Sequence, residues 1–360
     1  MNALKDNLQQ LCSILSLSGY EDGVIRFITD KLKDYPFEVD VDPLGNVIVQ
    51  LNQRKDSRRI VLFAHMDELG LVVTNILDNG FIKVERLGGI PEKSLAGTEV
   101  LIEVENQSWR GIVGTTSHHV TPQEQKMKVK PVTEIFLDFG FDSKEQVLSA
   151  GIHPGTPIGY ARKFFTNETR VFSNALDNRA GCAALLQLIE EVPIDELQWE
   201  VFIVFSVQEE FNLRGVLPAI RKIKPDLGIT LDIAIAADTP DLQGKNDIQL
   251  RNGPCIGYYT FHGRGTLGGV IPNPKYVKFI EQLAIDNDIN LQKYATMGIL
   301  TDASFSQLEN NGFPIVDIGF PIRYSHAPIE SIDLVDLQQL VSLLVIILKS
   351  LNAEVNFSRG

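Results

Sequence analysis

Cysteine is scarce in this chain: Cys12, Cys182 and Cys255 are all there are in 360 residues. They are odd in number, far apart and form no CxxC pair. A cystine framework and a cysteine-ligated zinc site are therefore disfavoured, and a reducing cytoplasm is the expected compartment. Positive charge is also short. Lys and Arg number 33 against 46 Asp and Glu, a formal net charge of −13. Nucleic acid and anionic membrane surfaces need clustered positive charge and are not expected partners. Long apolar runs are missing too. The greasiest stretch, Leu340 to Leu348, is closed by Lys349 and is too short to cross a bilayer. The opening stretch carries Leu4, Leu8, Leu11 and Leu15 at helical spacing, without the unbroken apolar run of a signal peptide. There is no internal repeat and no low-complexity tract.

What is present is ordinary for a soluble protein: 44% hydrophobic and 22% charged residues. The length suits about two domains. Two amphipathic helices open the chain, split at Ser18-Gly19. Phe37-Val39-Val41, a Gly45-Asn46 turn and Val47 to Val49 read as a hairpin. Arg59 to Ala64 reads as a buried central strand. From about Gly70 to Gly159 short β-rich runs alternate with glycine turns, and the first helical stretch there is DSKEQVLSAG. An α/β rhythm then resumes: a helix from Asp177 to Val192, strands over Trp199–Val207, Leu227–Ile235 and Phe313–Ile318, a helix opened by Pro274, and a closing helix from Leu334 to Leu351. The simplest account is one α/β domain built from residues 1–68 and 164–360, with a β-rich domain, residues 69–163, inserted between.

Five polar clusters stand where strands end or helices begin: AHMDE at 64–68, LDNR at 176–179, QEE at 208–210, Leu231-Asp232 and RYSH at 323–326. Ligands of open α/β sheets bind at the carboxyl ends of the strands, so these clusters can converge. Two imidazoles with several carboxylates make a nitrogen and oxygen donor set, suited to Zn²⁺, Co²⁺ or Mn²⁺. Taken singly, each has a plainer reading. His65 could be a satisfied polar residue, Asp177 a helix N-cap, and Glu209 and Glu210 surface charges. Asp232 resists such a reading, because a carboxylate inside the apolar run ITLDIAIAA must be paired or bound to metal. Adjacent strand residues face opposite ways, so Glu209 and Glu210 can share a site only if the chain leaves strand geometry there. Asn212 and Gly215 permit that.

Taken together and in order, SGYED, HMDELG, LGG, LDNRAG, QEE with LRG, TLD, TDAS and RYSH resemble the M42 family of glutamyl and tetrahedral metallo-aminopeptidases across essentially the whole chain. The resemblance implies an α/β/α mixed-sheet domain with a dinuclear metal centre and an inserted β-rich dimerisation domain. It implies that Asp177 bridges two divalent ions, zinc first, with cobalt or manganese as alternatives. His65 and Asp232 would complete one ion, and Glu210 and His326 the other. Glu209 would be the general base. Asp67 would hold the His65 imidazole in one tautomer. The implied substrates are short peptides cleaved at the N-terminal residue. The implied assembly is a homo-oligomer of dimers, up to a dodecamer. Phe211-Asn212 stands where many relatives have Val-Gly, which bears on the first pocket.

Other readings stay open. The same centre would serve a metal-dependent deacylase. A glycosidase using Glu209 and Glu210 is less suited, because its two carboxyls must flank a bond from opposite sides. Arg323 is as readily an ion-pair partner as a substrate contact. Asp302 and Ser304 either line a pocket or cap the helix after them. His118 and His119 lie in a polar stretch that reads as a surface loop, or as one reaching a neighbouring subunit. Gly263, Gly265 and Gly268 fit GxGxxG, but Val270-Ile271-Pro272 follows rather than a helix, so a dinucleotide loop is rejected.

Overall fold

The computed structural model describes residues 1–104, 107–263 and 266–359. Its centre is a ten-stranded mixed sheet. The strand Arg59–His65 runs parallel to Glu200–Ser206 on one side and to Leu227–Thr230 on the other. Ile315–Ile322 follows, parallel, and then Cys255–Phe261, antiparallel. The hairpin Glu38–Val41 with Val47–Gln50 closes the other side.

Alternation in the strand Arg59–His65 shows why the sheet is covered on both faces. Ile60, Leu62 and Ala64 pack with the helices Asn2–Ser13, Leu176–Glu191 and Leu334–Ser350. Val61 and Phe63 face the other way, toward the short helices Leu217–Ile223 and Ala303–Ser306. Period-two side-chain direction thus makes three layers from one apolar run. The helix Pro274–Asp286 begins at its proline, and the Asn273 side chain accepts from the Lys275 N–H at 2.8 Å.

Between Gly70 and Tyr160 six strands close into a barrel: Gly70–Ile76, Ile82–Leu87, Glu99–Val104, Gln107–Val113, Leu137–Asp138 and Pro157–Tyr160. It has its own apolar core, including Leu71, Val73, Ile82, Val84, Ile102 and Ile158. The helix Lys144–Ser149 is capped by Ser143. Closure leaves no free sheet edge, the constraint that short β-rich runs with glycine turns must meet. The barrel meets the α/β part tightly. A Cβ on Gly70 would lie 2.1 Å from the Leu17 side chain and 2.5 Å from the Ile158 carbonyl oxygen, and the backbone contact leaves room only for glycine.

Two readings need correction. Leu227–Ile235 is not one strand. It breaks at Leu231-Asp232, and Ile233–Ile235 resumes against Phe320–Ile322. The break is held by Phe63 O, which accepts from Leu231 N at 2.8 Å, and by the Asn178 amide, which donates to Leu231 O at 2.7 Å. Asp177 does not cap its helix. Regular dihedrals begin after Asn178, whose Oδ1 accepts from Gly181 N at 3.1 Å. Of the three glycines weighed for a dinucleotide loop, Gly265 lies outside the described residues; after Gly268 the chain enters the short strand Gly269–Val270, not a helix.

Asp317 lies buried in the sheet, with Thr301 donating to it at 2.9 Å and Thr260 at 3.4 Å. Burial outweighs these hydroxyls and pushes its carboxyl up to about 6. A folded pKa above the unfolded one favours the protonated carboxyl. Its stabilisation is complete below the ordinary aspartate value of 3.8 and lost as pH rises through about 6. The loss is at most about 3 kcal/mol. Asp317→Asn should therefore gain melting temperature over the parent at pH 8 relative to pH 4.5. A pH-independent difference between the two would contradict this.

Candidate active site

The three central parallel strands end side by side, and each hands its next residues to one cavity of about 580 Å³. His65 is the last residue of its strand. Past Ser206 the chain leaves strand geometry, with Gln208, Asn212 and Leu213 all at positive φ, so Glu209 and Glu210 both line the cavity. Gly215 lets this loop fold back, since a Cβ there would lie 1.6 Å from Val207 O. Asp232 enters from the strand break. Asp177 enters from the irregular first turn of its helix, where the Asp177–Asn178 peptide is cis. His326 comes from the loop after Ile315–Ile322, with Tyr324 and His326 at positive φ.

The distances bring every expected site residue together. His65 Nε2 lies 3.3 Å from Asp177 and 3.7 Å from Glu209. His326 Nε2 lies 3.6 Å from Asp177 and 3.9 Å from Glu210. Asp177 therefore stands between the two imidazoles. His65, Asp177 and Glu210 have donor atoms within 4.8 Å of one another, as do His65, Glu209 and Asp232. This grouping puts Glu209 nearer the donor set than the expected partition does.

Both imidazoles are oriented in the same way. His65 Nδ1 lies 3.1 Å from the Asp67 carbonyl, and His326 Nδ1 lies 3.0 Å from the Gly89 carbonyl. A carbonyl oxygen only accepts, so each Nδ1 carries the proton. In the neutral ring the lone pair is then on Nε2, which faces the carboxylates. Glycine at 89 favours this contact, because a Cβ there would crowd the His326 ring at 3.0 Å.

The electrostatics are those of a crowded anionic site. Burial opposes charge on His65, but Glu209, Asp177 and Asp67 together hold it well above the usual histidine range. Burial and the repulsion of Glu210, Asp232 and Asp302 push Glu209 well up. Burial and Asp177 do the same to Glu210 and Asp232. Asp177 itself is lowered despite burial, because both histidines face it. Such a set of oxygen and nitrogen donors fits divalent cations.

Asp67 does more than touch His65. Its carboxylate lies 3.5 Å from the His65 ring nitrogen but accepts shorter bonds elsewhere: from Ser18 Oγ at 2.6 Å, Glu209 N at 3.0 Å and Glu210 N at 3.1 Å. It is a clamp on the loop that carries both glutamates.

The M42 glutamyl aminopeptidase family pattern matches residues 45–343. The chain belongs to this family. It is 35% identical to the putative aminopeptidase SgcX of Escherichia coli over 95% of this chain and 92% of that one. It is 30% identical to the lysyl aminopeptidase of Pyrococcus furiosus, over 93% and 94%. The structure superposes on the TET1 peptidase of Pyrococcus horikoshii, which can assemble into a tetrahedron or a large octahedral shell, with a TM-score of 0.85, 29% identity and coverage of 97% and 100%.

Several supporting residues of this M42 chain escaped sequence reasoning. Glu21 accepts from Gly19 N and Gln208 N, which ties SGYED to the QEE loop. Glu68 takes a two-point contact from Arg162 at 2.7 and 2.9 Å and accepts from Ser16 N. Glu330 accepts from Asp177 N at 3.0 Å and His326 N at 2.8 Å, and burial pushes it up to about 8. Glu21 and Glu68 lie inside the motifs SGYED and HMDELG, but nothing in the sequence marks their main-chain partners; Glu330 lies in none of the motifs. Arg323 pairs with Asp238 through two contacts of 2.7 Å, so the ion-pair reading holds. Asp302 caps no helix; it accepts from Ser206 Oγ at 2.7 Å. His118 and His119 are exposed, away from this cavity.

Asp67→Ala orphans the buried N–H groups of Glu209 and Glu210. Each should cost about 1–3 kcal/mol. Thermal denaturation should show a clear drop in the melting midpoint. An unchanged midpoint would mean that the clamp does not hold the loop.

Proposed function

We propose that this protein is a metal-dependent aminopeptidase that removes the N-terminal residue of short peptides. One observation carries the reading: four carboxylates, Asp177, Glu209, Glu210 and Asp232, face His65 and His326 in one cavity, with both Nε2 atoms aimed at the carboxylates. Asp177 is read as the residue shared by two ions, His65 and Asp232 as the donors to one, and Glu210 and His326 as the donors to the other. Zinc is the first candidate, with cobalt or manganese as alternatives. Bound there, divalent ions supply Lewis-acid polarisation of a carbonyl and a nucleophile at neutral pH.

The remaining chemistry belongs to the side chains. Glu209, pushed up by burial and by its acidic neighbours, is suited to accept a proton from the attacking water. It then returns that proton to the departing amine as the peptide C–N bond breaks. Asp67 keeps Glu209 and Glu210 in place through their backbone N–H groups. Glu330 does the same for Asp177 and His326. The glycosidase alternative is poorly served, because both glutamates belong to one turn, Glu209 beside His65 and Glu210 beside His326, rather than to opposite faces of a cleft.

The barrel, within the inserted segment 69–163, is read as the dimerisation module of a homo-oligomer that builds up to a dodecamer; the tetrahedral and octahedral assemblies of the similar TET1 peptidase support a homo-oligomer. A reducing cytoplasm is supported by three buried, unpaired cysteines. No helix among the described residues is long and apolar enough to cross a membrane.

The test is hydrolysis of unblocked and N-acetylated aminoacyl substrates by chelator-stripped protein refilled with Zn²⁺, Co²⁺ or Mn²⁺. Stripping should abolish cleavage of unblocked substrates and refilling should restore it. Glu209→Gln should lower kcat by about 10²–10⁴-fold, with metal content kept. Preference for acetylated substrates would favour a deacylase instead.

A further inference from the structure

Beside the catalytic side chains the cavity has an apolar wall, built from Leu213, Ile233, Ile235, Ile299 and Leu300. Each has a structural reason to be there. Ile233 and Ile235 are two apart on one strand and so share a face. Ala234 between them joins a separate apolar cluster with Ala236, Ile248 and Cys255. Ile299 and Leu300 follow the strand Gln292–Met297, and Leu300 is packed so closely on Gly268 that a Cβ there would come within 2.9 Å of it. Leu213 stands at φ 56 in the glutamate turn, with its N–H bonded to Glu209 O at 2.7 Å.

We propose that this wall seats the side chain of the substrate's first residue, and that the enzyme prefers an uncharged, apolar one of leucine, methionine or phenylalanine size. The proposal rests on the aminopeptidase reading and departs from the glutamyl and lysyl names of the family and of one relative. The hydrolysed carbonyl must lie by the carboxylates and imidazoles, which leaves the apolar part of the lining for the adjacent side chain. A glutamate side chain there needs a cation. Among the described lining residues only exposed His262 could supply one, beside a cavity already rich in carboxylates. A lysine needs a carboxylate, and those of the lining are the residues read to hold the metal or, for Glu209, to serve as the base. A charge placed against isoleucine and leucine without a partner is strongly disfavoured, whereas an apolar side chain gains from leaving water. The whole cavity, about 580 Å³, lies in the usual range for small-molecule sites.

The experiment uses the metal-loaded full chain with unblocked Leu, Met, Phe, Glu and Lys p-nitroanilides. The best apolar substrate should exceed Glu and Lys by at least about tenfold in kcat/KM, since a mismatched pocket contact is worth about that much. A binding readout accompanies it: free L-leucine or L-methionine should raise the melting temperature of the loaded protein more than L-glutamate or L-lysine does. Leu300→Arg should lower kcat/KM for Leu and narrow or reverse its lead over Glu. Ile299→Arg serves the same purpose if the first variant does not fold. Metal-dependent cleavage that is fastest on Glu or Lys would overturn this proposal and leave the aminopeptidase reading standing. An unchanged preference in a folded variant would overturn the assignment of the wall. No cleavage of any unblocked substrate by loaded protein would overturn both readings.

Discussion

Four carboxylates held in one cavity repel one another, and the structure is arranged around that repulsion. Two like charges about 4 Å apart interact by about 4 kcal/mol at an effective dielectric near 20, so the cluster cannot stay fully ionised without cations. The protein answers partly with two imidazoles and partly by shifting protons, which is why Glu209, Glu210 and Asp232 are pushed up while Asp177, between the histidines, is lowered. A site so poised gains most from divalent ions. It also needs a rigid frame, since relaxed carboxylates would turn away from one another into water.

That frame is made of a further ring of buried acids that bind main chain rather than metal. Asp67 holds the N–H groups of Glu209 and Glu210, and Glu330 holds those of Asp177 and His326. Glu21 holds Gln208, and Glu68 is neutralised by Arg162. Each carboxylate thus fixes the backbone of a neighbour whose side chain then has one direction to point. The barrel joins this frame through Gly89, whose carbonyl orients His326. The inserted unit therefore helps to build the site, beyond any part it plays in assembly.

The cavity has both polar and apolar lining because two local departures from strand geometry meet there. The break at Leu231-Asp232 turns an aspartate inward and then restores the strand in time for Ile233 and Ile235 to face the same space. The turn after Ser206 brings in two glutamates and then Leu213. Polar and apolar lining come from the same segments, so the position of a substrate side chain is coupled to the position of the reacting groups.

Much of this was legible from residue types and order. His65, Asp67, Asp177, Glu209, Glu210, Asp232 and His326 stand out as a set because several motifs occur together in order, although most of them taken singly have a plainer reading. The β-rich inserted segment and the buried central strand at Arg59–Ala64 were legible from local composition, whereas closure of the β-rich strands into a barrel was not. The broken strand at Asp232 was not, since ITLDIAIAA is apolar enough to run straight through, and only its neighbours Phe63 and Asn178 claim the backbone there. Nor was the capping role of Asn178 in place of Asp177, or the part of Glu21 and Glu330, whose partners lie 187 and 153 residues away. The sequence by itself determined which groups are available and on which kind of element they sit. Tertiary structure decided which of them meet, because hydrogen-bond partners, burial and the lining of a cavity all depend on contacts between segments distant in the chain.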